Sequence, residues 1–496
     1  MTELAAAFEY LFQPGPLMLV ALGTVLGIIV GAIPGLTGAM LIALTLPLTF
    51  SMNHANALAL LVSMYVGAVS GGLITATLLR MPGTPASMMT TLDGYPMARN
   101  GKPGRALGLG ITASVVGGLI SWVVLALLAR PMAHVSTQLG PFELFALVLT
   151  ALVLISSVST GSQMAGIFSG LLGILAAMPG TSPIGEVRMT GGFTEVDAGF
   201  QLLPVLIGLF AISQIVQEIL RIDQPVESVS MTRKGMFMSL SEWRRQAVNL
   251  IRSSMIGTWI GILPGIGANI GSVVAYSAAK NSSRNPEDFG KGCDEGIIAS
   301  ESANNATVGG ALIPLVSLGV PGSLIDAILL GALVIHGLQP GPLLFANNPL
   351  EVNTIIATVL VANVFMFAFM FASVGWLSRL MYVPRALLLP AILACCVIGT
   401  YALSNRGFDV GVMLAFGAIG FVMDRLKIPL APFVIGFVLA PIAEKNLCAG
   451  LMLSGGSYAP LVTRPISLVF VLVSFALLIW PIWKRRRPPL TDSIGE

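Results

Sequence analysis

"GAIPGLTG", residues 31–38, interrupts a long apolar stretch: "LMLVALGTVLGIIV" (17–30) runs into it and "AMLIALTLPLTF" (39–50) leaves it. Pro lacks the amide proton that a helix interior needs, and Gly accepts the positive φ of a sharp turn, so one helix ends here and another begins. Composition puts that break in a bilayer. Of 496 residues, 55% are hydrophobic and only 10% charged, and the mean hydropathy is +0.88. An ordinary soluble domain carries roughly 25% charged residues. Runs such as "TIIATVLVANVFMFAFMFASVGW" (354–376) and "ISLVFVLVSFALLIWPIW" (466–483) approach or exceed the roughly 20 apolar residues that cross a membrane as helix. The chain therefore reads as an all-α polytopic membrane protein of about 10–12 transmembrane helices.

Several classes fall away. The start, "MTELAAAFEY", has two Glu and no Lys or Arg, unlike the basic opening of a cleaved signal peptide, and is expected to stay in the mature chain. Cys395 and Cys396 are adjacent while Cys293 and Cys448 are isolated, a spacing that spells neither a disulfide framework nor a metal site. His54, His134 and His336 form no HExxH, and neither GxSxG nor a Walker loop occurs, which speaks against an intramembrane protease or an ATPase. No enzyme activity, resident cofactor or nucleic-acid partner is expected. The net charge of +3 matters less than where the basic residues lie.

The opening break recurs. "GILPGIGA" (261–268) places Gly261, Pro264 and Gly265 where Gly31, Pro34 and Gly35 stand, at an offset of 230 residues. "SGGLITATLLRMPGT" (70–84) aligns with "GGALIPLVSLGVPGS" (309–323), so that Pro82, Gly83 and Thr84 fall on Pro321, Gly322 and Ser323 at an offset of 239. Two landmarks in the same order point to a duplication, although Pro-Gly pairs are also enriched in membrane helices generally. The longest hydrophilic interval, 221–252, lies between the copies. The expected organisation is a first membrane repeat (1–220), a cytoplasmic connecting segment (221–252), a second membrane repeat (253–484) and a cytoplasmic tail (485–496).

Charge placement orients the copies. "ARNGKPGR" (98–105) carries Arg99, Lys102 and Arg105, and "KNSSRNPEDFGKGCDE" (280–295) carries Lys280, Arg284 and Lys291, whereas "SMNHAN" (51–56) and "HGLQPGPLLFANNPLE" (336–351) have no Lys or Arg. The positive-inside rule puts the first two in the cytoplasm and the last two outside. The amino terminus is then external and the "KRRR" tail (484–487) cytoplasmic. The repeats read as inverted, the arrangement of secondary transporters whose sites lie where discontinuous helices of both halves meet.

A break at membrane depth leaves backbone groups unpaired, which is tolerable only inside protein or a watery cavity. A helix starting there aims N–H groups at an anion, while carbonyls of the preceding half-helix suit a cation. The candidate residues are Pro34, Gly35, Thr37 and Gly38 at the first tip and Pro264, Gly265, Gly267 and Asn269 at its copy. "MPGTPAS" (81–87) adds Pro82, Gly83, Thr84 and Ser87, and "VPGS" (320–323) adds Pro321, Gly322 and Ser323. No metal site is firm; a Na⁺ would sit near Thr37 or Asn269. The apolar legs around 264 are short, about 11 and 14 residues against the roughly 20 of a full span, which fits a re-entrant hairpin. A packing kink is the plain reading of any single break. Arg80 pairs with a substrate carboxylate, or with a protein acid, or reaches to the interface. "SESANNATVGG" (300–310) brings Glu301, Asn304 and Asn305, either a functional polar cluster at membrane depth or a helix cap. Asp326 is a weaker candidate.

These landmarks resemble the large membrane subunit of tripartite tricarboxylate transporters, the TctA-type permeases. The resemblance rests on "GAIPGLTGAMLIALTLPLTF", "YVGAVSGGLITATLLRMPGTPAS", "LDGYPMARNGKPGRALG", "GILPGIGANIG" and "ESANNATVGGALIPLVSLGVPGS" and covers roughly residues 15–485. It implies a multi-pass protein of the bacterial inner membrane that imports tricarboxylates or related carboxylates with an ion gradient, Na⁺ or H⁺. It also implies two partners, a small membrane subunit (TctB-type) and a periplasmic substrate-binding protein (TctC-type). A passive channel or a structural membrane subunit is the alternative.

Overall fold

Among the described residues, four helices start where the sequence supplies a side-chain cap, Thr37, Asn53, Ser239 and Ser323. The computed structural model describes residues 2–33, 35–81, 84, 87–158, 163–220, 232–263, 267–380 and 385–485. The chain opens with α1 (Thr2–Leu11) and α2 (Pro14–Gly31). Thr37 then caps α3 (Gly38–Thr49), its hydroxyl accepting from the Met40 amide at 3.2 Å. Asn53 caps α4 (His54–Leu79) in the same way, accepting from the Asn56 amide at 2.8 Å. After the second break come α5 (Met88–Arg99) and α6 (Pro103–Ser136), then α7 (Pro141–Val158), α8 (Gln163–Ala177) and a two-residue hairpin, β1 (Gly180–Thr181) with β2 (Val187–Arg188). α9 (Leu202–Ile207) and α10 (Ser213–Ile219) flank a π-helical turn at Gly208–Ile212.

Four helices of the second half correspond to four of the first. α11 (Leu240–Ile262), α12 (Gly267–Ser282), α13 (Asp294–Leu318) and α14 (Leu324–Ile335) stand where α2 to α5 stood. α15 (Leu344–Asn347), α16 (Pro349–Leu380), α17 (Arg385–Ser404), α18 (Gly407–Arg425), α19 (Leu430–Leu453), α20 (Pro460–Thr463) and α21 (Pro465–Arg485) follow. Among the described residues, seven helices are long and apolar enough to span a bilayer, and six shorter apolar helices accompany them. The 12 residues of α3 and of α14 rise only about 18 Å, too little for a hydrocarbon core of about 30 Å. By length alone neither crosses it. The fold is all-α and polytopic, as expected.

The duplication is written into the packing. A β-carbon at Gly27 would lie 2.4 Å from the Met64 carbonyl oxygen, and one at Gly257 would lie 2.3 Å from that of Ala303. One turn on, Gly31 abuts the Ala68 carbonyl (2.4 Å) and Gly261 that of Thr307 (2.6 Å). Each glycine pair is 230 residues apart and each carbonyl pair 239, the two offsets read from the motifs. The α2–α4 and α11–α13 crossings are one crossing built twice, with glycine letting the backbones touch.

The loops that share a charge sign also meet. At one end the Arg105 guanidinium of α6 binds Glu242 (2.5 Å) and Asp294 (2.7 Å), joining α6, α11 and α13. Beside it, buried Asp93 of α5 accepts from the amides of Gly290 (2.9 Å), Gly292 (2.9 Å) and Cys293 (2.8 Å), and from the Tyr276 hydroxyl (2.8 Å). At the other end Nε2 of His336 lies 3.0 Å from the Thr49 hydroxyl, and its ring packs edge-on to His54 with centroids 5.7 Å apart. Arg105 and the Ser239 cap, with its reciprocal capping box, hold the Glu242 carboxyl down at about 2. That box also starts α11 earlier than the apolar leg suggests: the helix has 23 residues, because its first turns are amphipathic rather than apolar.

By contact the chain forms two compact units, Met1–Gln138 with Phe200–Leu426, and Leu139–Gly199 with Lys427–Glu496. The second unit packs α8 on α19 backbone to backbone: a β-carbon at Gly173 would strike the Phe433 carbonyl at 1.9 Å. Arg188 pairs with Glu444 at 2.6 Å and Arg464 with Glu143 at 3.2 Å.

Candidate functional site

Every Pro-Gly landmark precedes a new helix: α3 starts at Gly38, α5 at Met88, α12 at Gly267 and α14 at Leu324. Two of these starts, from opposite repeats, meet on α4. Gly38 is so close that a β-carbon would lie 2.6 Å from the Ala68 methyl and 3.3 Å from Ile325 of α14. One turn away, the Tyr65 hydroxyl lies 3.3 Å from the Ser323 hydroxyl, and Ser323 caps α14 by accepting from the Asp326 amide at 3.3 Å. Gly322 presses on the Gly261 carbonyl at the end of α11, where a β-carbon would come within 2.9 Å.

The counterparts of these residues follow from the 239-residue offset. Adding 239 to Tyr65 gives Asn304, and subtracting it from Ser323 and Asp326 gives Thr84 and Ser87. Thr84 and Ser87 are buried, share a hydrogen bond of 2.9 Å and lie against Gly72 of α4. Asn304 is fully buried, and its amide makes no hydrogen bond of close geometry among the described residues, the Glu301 carboxyl being the polar group beside it. A buried amide so poorly paired is expensive and usually awaits a ligand or water.

Glu301, Asn304 and Asn305 lie inside α13; they do not cap a helix at an interface. Glu301 accepts from Thr90 of α5 at 2.5 Å and from Ser114 of α6 at 3.2 Å. Ser70 of α4 donates to Asn305 at 2.6 Å, tying the repeats together. Gly35 has φ +86, and a β-carbon there would sit 2.3 Å from the carboxyl carbon of buried Glu218 on α10. Arg80 caps α4 in the left-handed region (φ 56), as its counterpart Gly319 caps α13 (φ 70). Its guanidinium is exposed and lies 5.9 Å from the Tyr95 ring centroid.

Ser323 thus gathers with Tyr65 and Asp326 beside Gly38, Gly322 lies against Gly261 and Ala311, Thr37 caps α3, Pro321 precedes α14, and Thr84 and Ser87 lie together against Gly72 of α4. Pro34, Pro82, Gly83, Pro264, Gly265 and the side chain of Asn269 lie outside the described residues; Gly267 opens α12. Tyr65, Ser70, Thr90, Ser114 and Glu218 were not among the sequence candidates. Single polar residues in apolar runs carry little signal, and only the 239-residue correspondence with Asn304 marks Tyr65. A separate polar cleft of about 740 Å³, lined by Arg245, Arg252, Arg284 and Lys291 among others, lies away from the breaks.

The model of the tripartite tricarboxylate transporter TctA family matches residues 17–435. An uncharacterized 52.8 kDa protein in the TAR-I ttuC' 3' region of Agrobacterium vitis is 32% identical over 481 residues, 97% of this chain and 95% of that protein. An uncharacterized protein in the TAR-II ttuC' 3' region of the same organism is 36% identical over 211 residues, 42% of this chain and 87% of that protein. No solved structure matches.

Proposed function

The chain belongs to the tripartite tricarboxylate transporter TctA family, and from that premise we propose that it imports tricarboxylates or related carboxylates by secondary active transport, coupled to Na⁺ or H⁺. One observation carries the mechanism: the starts of α3 and α14, from opposite repeats, meet at Tyr65 and Ala68 of α4. Helix starts aim N–H groups and positive dipole ends into this junction, where they stabilise carboxylate charge without a dedicated basic residue. The same breaks expose carbonyls and hydroxyls that suit a cation. Movement of one repeat's half-helices against the other then opens the junction to each side in turn.

On this reading the small membrane subunit and the periplasmic binding protein are its partners, and the bacterial inner membrane its place. The amino terminus and the His54–His336 end face outward; the Arg105 end faces the cytoplasm. The test is uptake of radiolabelled citrate and other di- and tricarboxylates into sealed vesicles holding the permease with both partners. Gradient-dependent accumulation with a finite KM and counterflow is expected. Non-saturating flux would support the channel alternative, and absence of uptake for every carboxylate under either gradient would sink the proposal.

A further inference from the structure

The two copies of the second break differ in one chemical respect. In repeat one the facing pair is Thr84 and Ser87, two hydroxyls that satisfy each other at 2.9 Å. In repeat two the pair is Ser323 and Asp326, and among the described residues the fully buried Asp326 carboxyl has only the Ser323 hydroxyl and amide and the Tyr65 hydroxyl near it, none in close hydrogen-bond geometry. An ionised carboxylate with no cation beside it is unfavourable in such surroundings, so the site suits a positive charge, a proton or a metal cation.

The neighbourhood suits small-cation binding. α14 packs on α3, α4, α9 and α13. α3 and α9 contain no titratable residue, and on α13 Glu301 is turned to Thr90 and Ser114. The titratable group facing Asp326 is Tyr65, whose hydroxyl stands beside Ser323. No Lys or Arg among the described residues neutralises the carboxylate. Arg80 marks the other break, and its counterpart beside Asp326 is Gly319. The duplication has thus placed fixed positive charge near one break and a lone carboxyl at the other.

We propose that Asp326, with the Ser323 and Tyr65 hydroxyls, is the coupling-cation site of the α3–α14 junction, taking up one proton or Na⁺ whose charge offsets that of the carboxylate held at the same helix starts. This rests on the transport reading above, yet its first test does not need a substrate. The thermal stability of the purified permease is measured against NaCl, with choline chloride as control, and against pH. Ligand bound only by the folded state raises the Tm with concentration. The wild-type chain should respond to NaCl if the cation is sodium, or to pH alone if it is a proton, and Asp326→Asn should lose that response. Equal responses of wild type and variant to both, or no response of the wild type to either, would overturn the proposal.

Should Asp326→Asn fail to fold, Tyr65→Phe and Ser323→Ala serve instead. Losing one hydroxyl should weaken a sodium response about fivefold, or move a proton midpoint upward by removing a polar group that favours the carboxylate. Unaltered responses in both would overturn the assignment. The transport arm uses citrate: Asp326→Asn should lose the dependence of citrate accumulation on the cation gradient, and retained gradient-driven accumulation would count against the site. A wild-type chain that moves no citrate or other carboxylate yet shows an Asp326-dependent cation response would refute the substrate reading and leave this site standing.

Discussion

Gly35 carries two constraints at once. Its φ of +86 belongs to the left-handed region, and the Glu218 carboxyl occupies the space where a β-carbon would go. Gly35→Ala must therefore strain the backbone at the tip and displace the Glu218 carboxyl, a penalty of about 1–3 kcal/mol. Uptake is expected to be lost while the amount of inserted protein, measured by immunoblot of washed membranes, stays near wild type; normal uptake would free the tip of a role. Glu301 gives a prediction of another kind. Thr90→Val removes a donor and leaves Oε1 of a fully buried carboxyl unpaired, which should lower stability by about 1–3 kcal/mol, read as a drop in Tm of the purified protein. Glu301, Asn304 and Asn305 were legible in the sequence because three polar groups crowd into an apolar stretch. Tyr65 and Glu218 were not, because each stands alone and owes its place to a partner some two hundred residues away.

Elements meet through glycine and through charge. Gly27 and Gly257 occupy one position in two copies of a crossing, so valine at either should force α2 from α4, or α11 from α13, at a cost of about 1–3 kcal/mol or more. The two single variants should lose similar stability by thermal unfolding in detergent; a large loss from one and none from the other would break the equivalence. The Arg105 clamp responds to acid. Glu242 titrates near 2 when folded, below the ordinary carboxylate value of 4.5, so its contribution is fully present above about pH 4.5 and fades as pH falls toward 2. Arg105→Gln should remove the part of the acid-induced Tm loss that falls in that window. Helix breaks were readable because Pro and Gly change backbone geometry wherever they occur. The start of α11 was not, because Trp243, Val248 and Ile251 lie among Arg244, Arg245 and Arg252, and a count of apolar residues passes over an amphipathic turn.

At the scale of the molecule, sidedness is expected from six basic positions and their absence elsewhere. Loops with the same basic content come together: Arg105 reaches Asp294, Asp93 gathers the amides at 290–293, and His54 packs on His336. The division into two compact units had no such marker, since α7, α8 and α19 to α21 carry neither a repeated Pro-Gly landmark nor a strong charge contrast. The pairing of loops is a stronger constraint than the charge rule, because it holds whichever way the chain is inserted. Direction can be tested separately. In a background freed of its four cysteines, Ser51→Cys and Gln339→Cys should react with a membrane-impermeant maleimide on intact cells, and Lys102→Cys and Lys291→Cys only after permeabilisation; all four positions are exposed. Labelling in the opposite sense would invert the orientation yet keep the repeats antiparallel. Ser51 and Gln339 on different sides would instead undo the inverted arrangement, and with it the meeting of α3 and α14 on which the transport mechanism depends.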